Sequence, residues 1–237
     1  MIKPKDSYGS RGLRYIKRRE ELIDEYKRVH RVYKYPLVQE YIPPGGDAYG
    51  VSVLLDKSSE VKALFVHRRL REYPVTGGPS TLRVSMLKPE IANLGIRMLK
   101  ALGWYGVAMV EFKVDPRDNT PKLMEVNPRF WGSLPLAILA GVDFPYLLYQ
   151  VALEGDVEPV LKYQSEVKCR WLLPGDLLNF LSNLKRGKLE TGFFSSFGNG
   201  TGYDILSSRD AMPVLGVFLE TFRTILDKER WRYVFKR

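Results

Sequence analysis

Apolar and polar positions change period along this chain, and each change marks an element. Tyr49 to Leu55 and Val61 to Arg68 alternate in the two-residue period of half-buried strands. From Lys88 to Gly103 the spacing becomes helical: Ile91, Leu94, Met98, Leu99 and Leu102 form one stripe, Pro89 fits the first turn and Gly103 stops the helix. Val107 to Val114 and Leu123 to Arg129 read as strands again, joined into a hairpin by the turn Asp115-Pro-Arg-Asp-Asn-Thr-Pro121. The most apolar window, Leu134 to Leu153, is broken by Pro135, Gly141, Asp143 and Pro145 into two short buried helices rather than a membrane span. Weaker signals predict a strand end at Met1 to Pro4, a charged helix from about Lys17 to Arg31 and a strand from Tyr35 to Ile42. That strand runs into the sharp turn Pro43-Pro44-Gly45-Gly46, and Pro74 to Ser80 reads as a flexible loop. After Gly155, strand-like Val167 to Leu173 leads to Asp176 as a cap for a helix Leu177 to Leu184. A Gly-rich connection, Phe193 to Gly202, and a final helix around Ala211 to Asp227 complete the pattern, which is α+β with antiparallel hairpins.

The hairpin carries the chemistry. Side chains two apart on a strand share a face, so Glu125 and Asn127 point the same way. A turn centred near Asp118 sets Glu111 opposite Glu125, with β-carbons roughly 4.5–5.5 Å apart. Two carboxylates that close repel, and one takes up a proton unless a cation intervenes. Two carboxylates and an amide are hard oxygen donors of the kind that suit magnesium, with manganese as a substitute; magnesium leaves its other positions to water and phosphate. Arg129 follows immediately, placed to clamp a phosphoryl oxygen. A solvated sheet face is the alternative for such a pair. Against it, Met124 and Val126 are apolar and predicted on the opposite face, anchoring the strand in a core.

Composition narrows the classes. The chain has 237 residues, 45% of them apolar, enough for one large domain or two small ones with a real core. Its one cysteine, Cys169, excludes an intramolecular disulfide, and with only His30 and His67 as histidines a metal must be held mainly by oxygen. The first residues lack the pattern of a secretory signal, so the expectation is cytoplasmic, without a membrane partner. The net charge of +10 raises nucleic acid as a partner. The excess is mostly spread along the chain, however, and the tail Lys228 to Arg237, cations interleaved with aromatics, also reads as a terminal element with its aromatics inward. Nucleic acid is therefore the lesser alternative.

Three further stretches fit phosphate chemistry, each with an ordinary structural alternative. Lys5 to Gly12 offers Gly9 and Gly12 for close backbone approach, hydroxyls from Ser7 and Ser10, and charge from Lys3 and Arg11. It is neither a P-loop nor a dinucleotide fingerprint. Gln39-Glu40-Tyr41-Ile42 is a strand end able to read an adenine edge, with Asp47 beyond the turn for a ribose hydroxyl. Thr76-Gly-Gly-Pro-Ser80, preceded by His67, Arg68, Arg69 and Arg71, has the makeup of a mobile lid or of a plain hairpin tip.

In this order the pieces resemble the ATP-grasp superfamily, most closely its carboxylate–amine ligases and the synthetase domains of carbamoyl phosphate synthase. The resemblance covers roughly residues 1 to 150, and Glu125-Val-Asn-Pro-Arg129 after Glu111 is its most specific part. It implies that Lys3 contacts the nucleotide phosphates and that Gly9 to Gly12 folds over them. It assigns Glu40 to the adenine amino group, the backbone of Tyr41 and Ile42 to the ring, and, more loosely, Asp47 to the ribose. Glu111, Glu125 and Asn127 would hold one or two magnesium ions on ATP, and Arg129 the transferred phosphoryl group. The implied fold is two α+β lobes with antiparallel sheets gripping the nucleotide. The implied reaction activates a small carboxylate as an acyl-phosphate for attack by an amine.

The chain departs from that pattern at its start: the substrate domain and a further phosphate-binding cation that usually precede Lys3 have no room here. The expectation is an N-terminally truncated ATP-grasp domain over residues 1 to 154. Residues 1 to 40 would be part of the first lobe, 41 to 154 the second lobe with the metal site, and 155 to 237 a C-terminal α+β extension of unknown role. An N-terminal partner chain or a homo-oligomer would complete it. The second reading is a non-catalytic nucleotide-binding or partner-binding subunit, and the third is a basic nucleic-acid-binding domain.

Overall fold

The computed structural model describes residues 1–5, 12–75, 77–185, 192–197, 200–207 and 210–226. The chain forms two compact units, Met1–Gly46 with the hairpin turn Asp115–Thr120, and Asp47–Val114 with Pro121–Arg237.

In the first unit, strand β1 (Ile2–Lys3) pairs antiparallel with β2 (Leu37–Val38), and helix α1 (Leu22–Val32) follows a 3-10 turn at Arg19–Glu21. The strand expected over Tyr35 to Ile42 thus contracts to two residues, and the helix starts later than Lys17. Gly12 is held by packing: at φ +72°, a β-carbon there would come within 2.5 Å of the Tyr33 ring.

The second unit is built on a seven-stranded sheet in the order β7-β6-β3-β4-β5-β8-β9. Its strands are β3 (Ala48–Leu55), β4 (Val61–Glu72), β5 (Ser80–Ser85), β6 (Gly106–Val114), β7 (Pro121–Asn127), β8 (Lys168–Arg170) and β9 (Thr201–Tyr203). All neighbours are antiparallel except β8 and β9. The sequence from Gly155 onward therefore adds strands to the sheet that carries the hairpin.

Each face of this sheet is covered by helices. Helix α2 (Pro89–Ala101) lays Ile91, Ala92 and Leu99 on Val51, Val53, Val66 and Val110. Leu94 and Met98 are partly buried, but Leu102 lies past the last turn and is 61% exposed, contrary to its place in the predicted stripe. Helices α3 (Leu134–Leu139) and α4 (Phe144–Glu154) bring Leu136, Phe144 and Leu147 onto Leu54, Phe65 and Met109 of the other face. The C-terminal helices are α5 (Leu177–Lys185), α6 (Gly192–Ser195) and α7 (Met212–Leu226). Among the described residues no helix is long and apolar enough to cross a membrane.

Strand β5 went unpredicted. Ser80-Thr-Leu-Arg-Val-Ser85 is buried on both faces, with Thr81, Arg83 and Ser85 covered as fully as Leu82 and Val84, so it lacks the alternation of a one-faced strand.

Candidate functional site

The register of the hairpin sets Glu111 directly opposite Glu125. It does so through a bulge: Phe112 pairs with Leu123, so Met124 is an extra residue on β7. Without it Glu111 would face Met124, and the acid on β7 would turn to the other face. Val126 packs into the α2 core as the pattern predicted, whereas Met124 is taken out of the alternation.

The two acids differ in setting. Glu111 lies on a central strand and is 5% exposed, whereas Glu125 is exposed on the edge strand β7. The cation that the crowding of carboxylates demands is present: Arg69 on β4 donates from Nη2 to Oε2 of Glu111 at 2.5 Å. Its Nη1 reaches the carbonyl oxygen of Gly78 at 3.3 Å. Asn127 Nδ2 approaches Glu125 Oε1 at 3.5 Å, and Arg129 donates to Asn127 Oδ1 at 3.3 Å and to the Phe130 carbonyl at 2.9 Å. Exposed Glu125, half-buried Asn127 and exposed Arg129 thus form one row at the end of the hairpin. The oxygens of Glu125 and Asn127, with those of Glu111, are the all-oxygen donor set that magnesium accepts. Among the described residues no group of three or more His, Cys, Asp or Glu side chains is placed to hold a metal, so Asn127 has to be counted in.

The basic stretch on β4 is not a free lid. His67 is 1% exposed and stands over Gly50, where a β-carbon would come 2.3 Å from its ring. Burial, and then the charges of Arg69 and Arg83, push its pKa down to about 3, so it is neutral. Arg68 reaches Asp47 at 3.4 Å. Arg71 forks onto Asp176, with both contacts at 2.8 Å. Each expected lid cation is thereby committed within the second unit, and Thr76 lies outside the described residues.

The remaining expected contacts fall as follows. Lys3 is on β1. Ser7, Gly9, Ser10 and Arg11 lie outside the described residues, and Gly12 packs on Tyr33 and Pro4. In the first unit Glu40 accepts from Arg117 Nη2 at 2.5 Å, and Arg117 also bonds Asp115. Tyr41 is exposed and meets Tyr15 edge-on, and Ile42 is half-buried. Asp47, in the second unit, accepts from the Tyr49 hydroxyl at 3.0 Å; burial and this carboxylate push the phenol up to about 12.

A buried charge network escaped the sequence reading. Asp176, expected as a helix cap, is fully buried and accepts from Arg71, from Thr81 Oγ1 at 2.9 Å and from Arg170 Nε at 2.6 Å. The Arg170 guanidinium carbon lies 4.2 Å from the ring centres of both Phe193 and Phe197. Beside it Arg83 pairs with Asp204, which also accepts from the Cys169 thiol at 3.0 Å. Burial, then the Asp204 charge, raise that thiol to about 12, which leaves it protonated and unreactive. The only cue in the sequence was that arginines and aspartates sat inside apolar runs, and their partners are 95 and 105 positions away.

The family model described as ATP-grasp in the biosynthetic pathway with Ter operon matches residues 34–173. No match is found among curated protein sequences. Among solved structures, the biotin carboxylase domain of Hydrogenobacter thermophilus 2-oxoglutarate carboxylase, in complex with MgADP, ADP and bicarbonate, is similar at 19% identity and a TM-score of 0.58. The match covers 70% of this chain and 39% of that one. Campylobacter jejuni biotin carboxylase in its β,γ-ATP complex gives 18% identity and a TM-score of 0.59 over 70% of this chain and 40% of that one. Rhizobium etli pyruvate carboxylase with acetyl coenzyme A gives 19% and 0.56, covering 66% and 15%. At these identities the likeness is one of fold, and this chain spans about two fifths of the length of the biotin carboxylase chains.

Proposed function

This chain belongs to the ATP-grasp family described as working in the biosynthetic pathway with the Ter operon, and we propose that it binds magnesium–ATP as a carboxylate–amine ligase or as part of one. The observation that carries the proposal is the bulged register that sets Glu111 opposite Glu125 and aligns Asn127 and Arg129 after them. Glu111, Glu125 and Asn127 would take the metal, magnesium or manganese, which when bound neutralises phosphate charge. Support comes also from the relatives in fold, one solved with MgADP and another as a β,γ-ATP complex.

In the proposed reaction an oxygen of a small carboxylic acid attacks the γ-phosphorus of ATP, ADP leaves, and an acyl-phosphate forms. An amine then attacks the acyl carbon and phosphate leaves. This chain's residues would supply position and charge rather than covalent chemistry. Arg129 is exposed and, among the described residues, donates to Asn127 and a backbone carbonyl, so its guanidinium could turn onto the phosphoryl oxygens. Lys3, the Ser7 to Gly12 loop, Glu40, the backbone of Tyr41 and Ile42, and Asp47 are the proposed nucleotide contacts. Glu40 accepts from Arg117 through Oε1, so the adenine amino group would share that carboxylate with the guanidinium.

The test is ADP release across a panel of small carboxylic acids and amines, with this chain alone and with any chain encoded beside it. Acid-dependent ADP release, raised by an amine, is the expected result. ATP binding with no turnover in any combination would favour a non-catalytic nucleotide-binding subunit instead.

A further inference from the structure

Arg69 is placed unlike an ordinary structural counter-ion. A guanidinium that merely neutralises a buried acid usually presents both prongs of its fork to one carboxylate, as Arg71 does to Asp176. Arg69 divides its fork. Nη2 goes to Glu111 on the metal hairpin, and Nη1 to the carbonyl of Gly78 in the turn between β4 and β5. The backbone at Gly78 is itself tightly seated, since a β-carbon there would lie 2.2 Å from the Tyr73 carbonyl oxygen.

The position is also costly. Arg69 is paired across the β4–β5 ladder with Arg83, and like charges directly opposite destabilise a sheet. Arg83 is neutralised by Asp204, so the charge of Arg69 falls to Glu111, with Glu72 at the longer distance of 3.9 Å. The guanidinium nitrogen therefore stands within 2.5 Å of the more buried of the two acids.

We infer that Arg69 makes this site selective for metal that arrives on nucleotide, excluding the bare divalent ion. The inference rests on the proposed metal role of Glu111, Glu125 and Asn127. A free divalent cation approaching Glu111 meets a positive charge already seated there, in surroundings where charges are poorly screened. A metal–nucleotide brings phosphate oxygens with it, and Arg69 can exchange its carboxylate partner for one of them. The same movement frees or re-seats the Gly77–Gly78 turn, since one prong of the fork holds it. Arg69 is thus a positioning and specificity-determining residue for the site.

The experiment titrates manganese, followed by the loss of its free-ion paramagnetic resonance signal, with and without ATP. It uses the whole chain, Arg69→Gln, Arg69→Lys and, as a control on the metal ligands, Glu125→Gln. Removing the charge in Arg69→Gln is expected to raise the affinity for manganese alone at least about tenfold while lowering that for manganese–ATP. Arg69→Lys keeps a cation beside Glu111 and protects the fold should the Gln variant not assemble. It is expected to exclude bare manganese as the parent does, yet to bind manganese–ATP more weakly, because an ammonium is not a fork. If the variants move both affinities in the same direction, or move neither, Arg69 does not select and the inference falls alone. If parent and variants bind manganese identically to Glu125→Gln in both arms, the metal site itself is wrong and the inference falls with it.

Discussion

Oε2 of Glu111 lies 2.5 Å from Nη2 of Arg69, across strands β6 and β4 with β3 between them. The central acid of the hairpin is therefore held as one half of a buried ion pair, while its cross-strand neighbour Glu125 faces solvent. The two acids should respond unequally to neutralisation. Glu111→Gln strands a guanidinium of low exposure, and breaking a pair of this kind costs about 3–5 kcal/mol. Glu125→Gln removes an exposed charge and should stay within about 0.5 kcal/mol of the parent. Urea denaturation of the two variants checks this. A loss for Glu111→Gln as small as that expected of Glu125→Gln would mean that the Arg69–Glu111 contact contributes nothing to the fold.

His67 makes acid sensitivity predictable. Its folded pKa of about 3 lies below the ordinary histidine value, so the unfolded chain binds a proton that the folded chain refuses. The stability contributed by neutral His67 is fully present above about pH 6.5 and is lost as pH falls toward 3, at about 1.4 kcal/mol per pH unit inside that window. His67→Gln should flatten the dependence of unfolding free energy on pH between 6 and 4 relative to the parent. Parallel slopes would contradict a neutral, buried His67.

Asp176 neutralises two arginines at once, Arg71 and Arg170, with no exposure of its own. Asp176→Asn keeps the shape but leaves both cations short of a counter-charge, for an expected loss of about 3–5 kcal/mol. Thermal unfolding would register it as a fall of more than about 5 °C. A variant melting with the parent would show that the network is solvated rather than buried.

Gly95 sets two effects against each other. Alanine is favoured over glycine in a helix by about 1 kcal/mol. Here, though, its β-carbon would come 2.8 Å from Cγ1 of Val51, a fully buried residue with no room to retreat. Overpacking of this kind costs about 1–3 kcal/mol, so Gly95→Ala should be net destabilising in denaturant titration. A stabilised variant would mean that α2 does not sit this tightly on β3.

What the sequence disclosed was local. The hairpin, helix α2 and the paired helices α3 and α4 follow from spacing within a dozen residues, and the places of Glu111, Glu125 and Asn127 from two such strands, with Arg129 just past the second. The pairing of Glu111 with Glu125 was legible only in part, because the bulge at Met124 that produces it has no signature in composition. Partners far apart in sequence were not legible at all. Arg69 is 42 positions from Glu111, and Arg71 is 105 from Asp176; nothing in a run of basic residues distinguishes a lid from a row of committed ion pairs. Strand β5 was hidden for a related reason, since Thr81 and Arg83 are polar side chains whose burial depends on Asp176 and Asp204, far along the chain.

In the proposed function the acids of the hairpin hold the metal of magnesium–ATP. The most direct test is calorimetric titration of ATP into the parent chain and into Glu125→Gln, each in excess magnesium and in excess chelator. The parent is expected to bind ATP much more tightly with magnesium than without. Glu125→Gln, folded as the parent is, is expected to lose at least about tenfold of the magnesium-dependent affinity. Equal affinity of Glu125→Gln and the parent for magnesium–ATP would contradict that role of the acids.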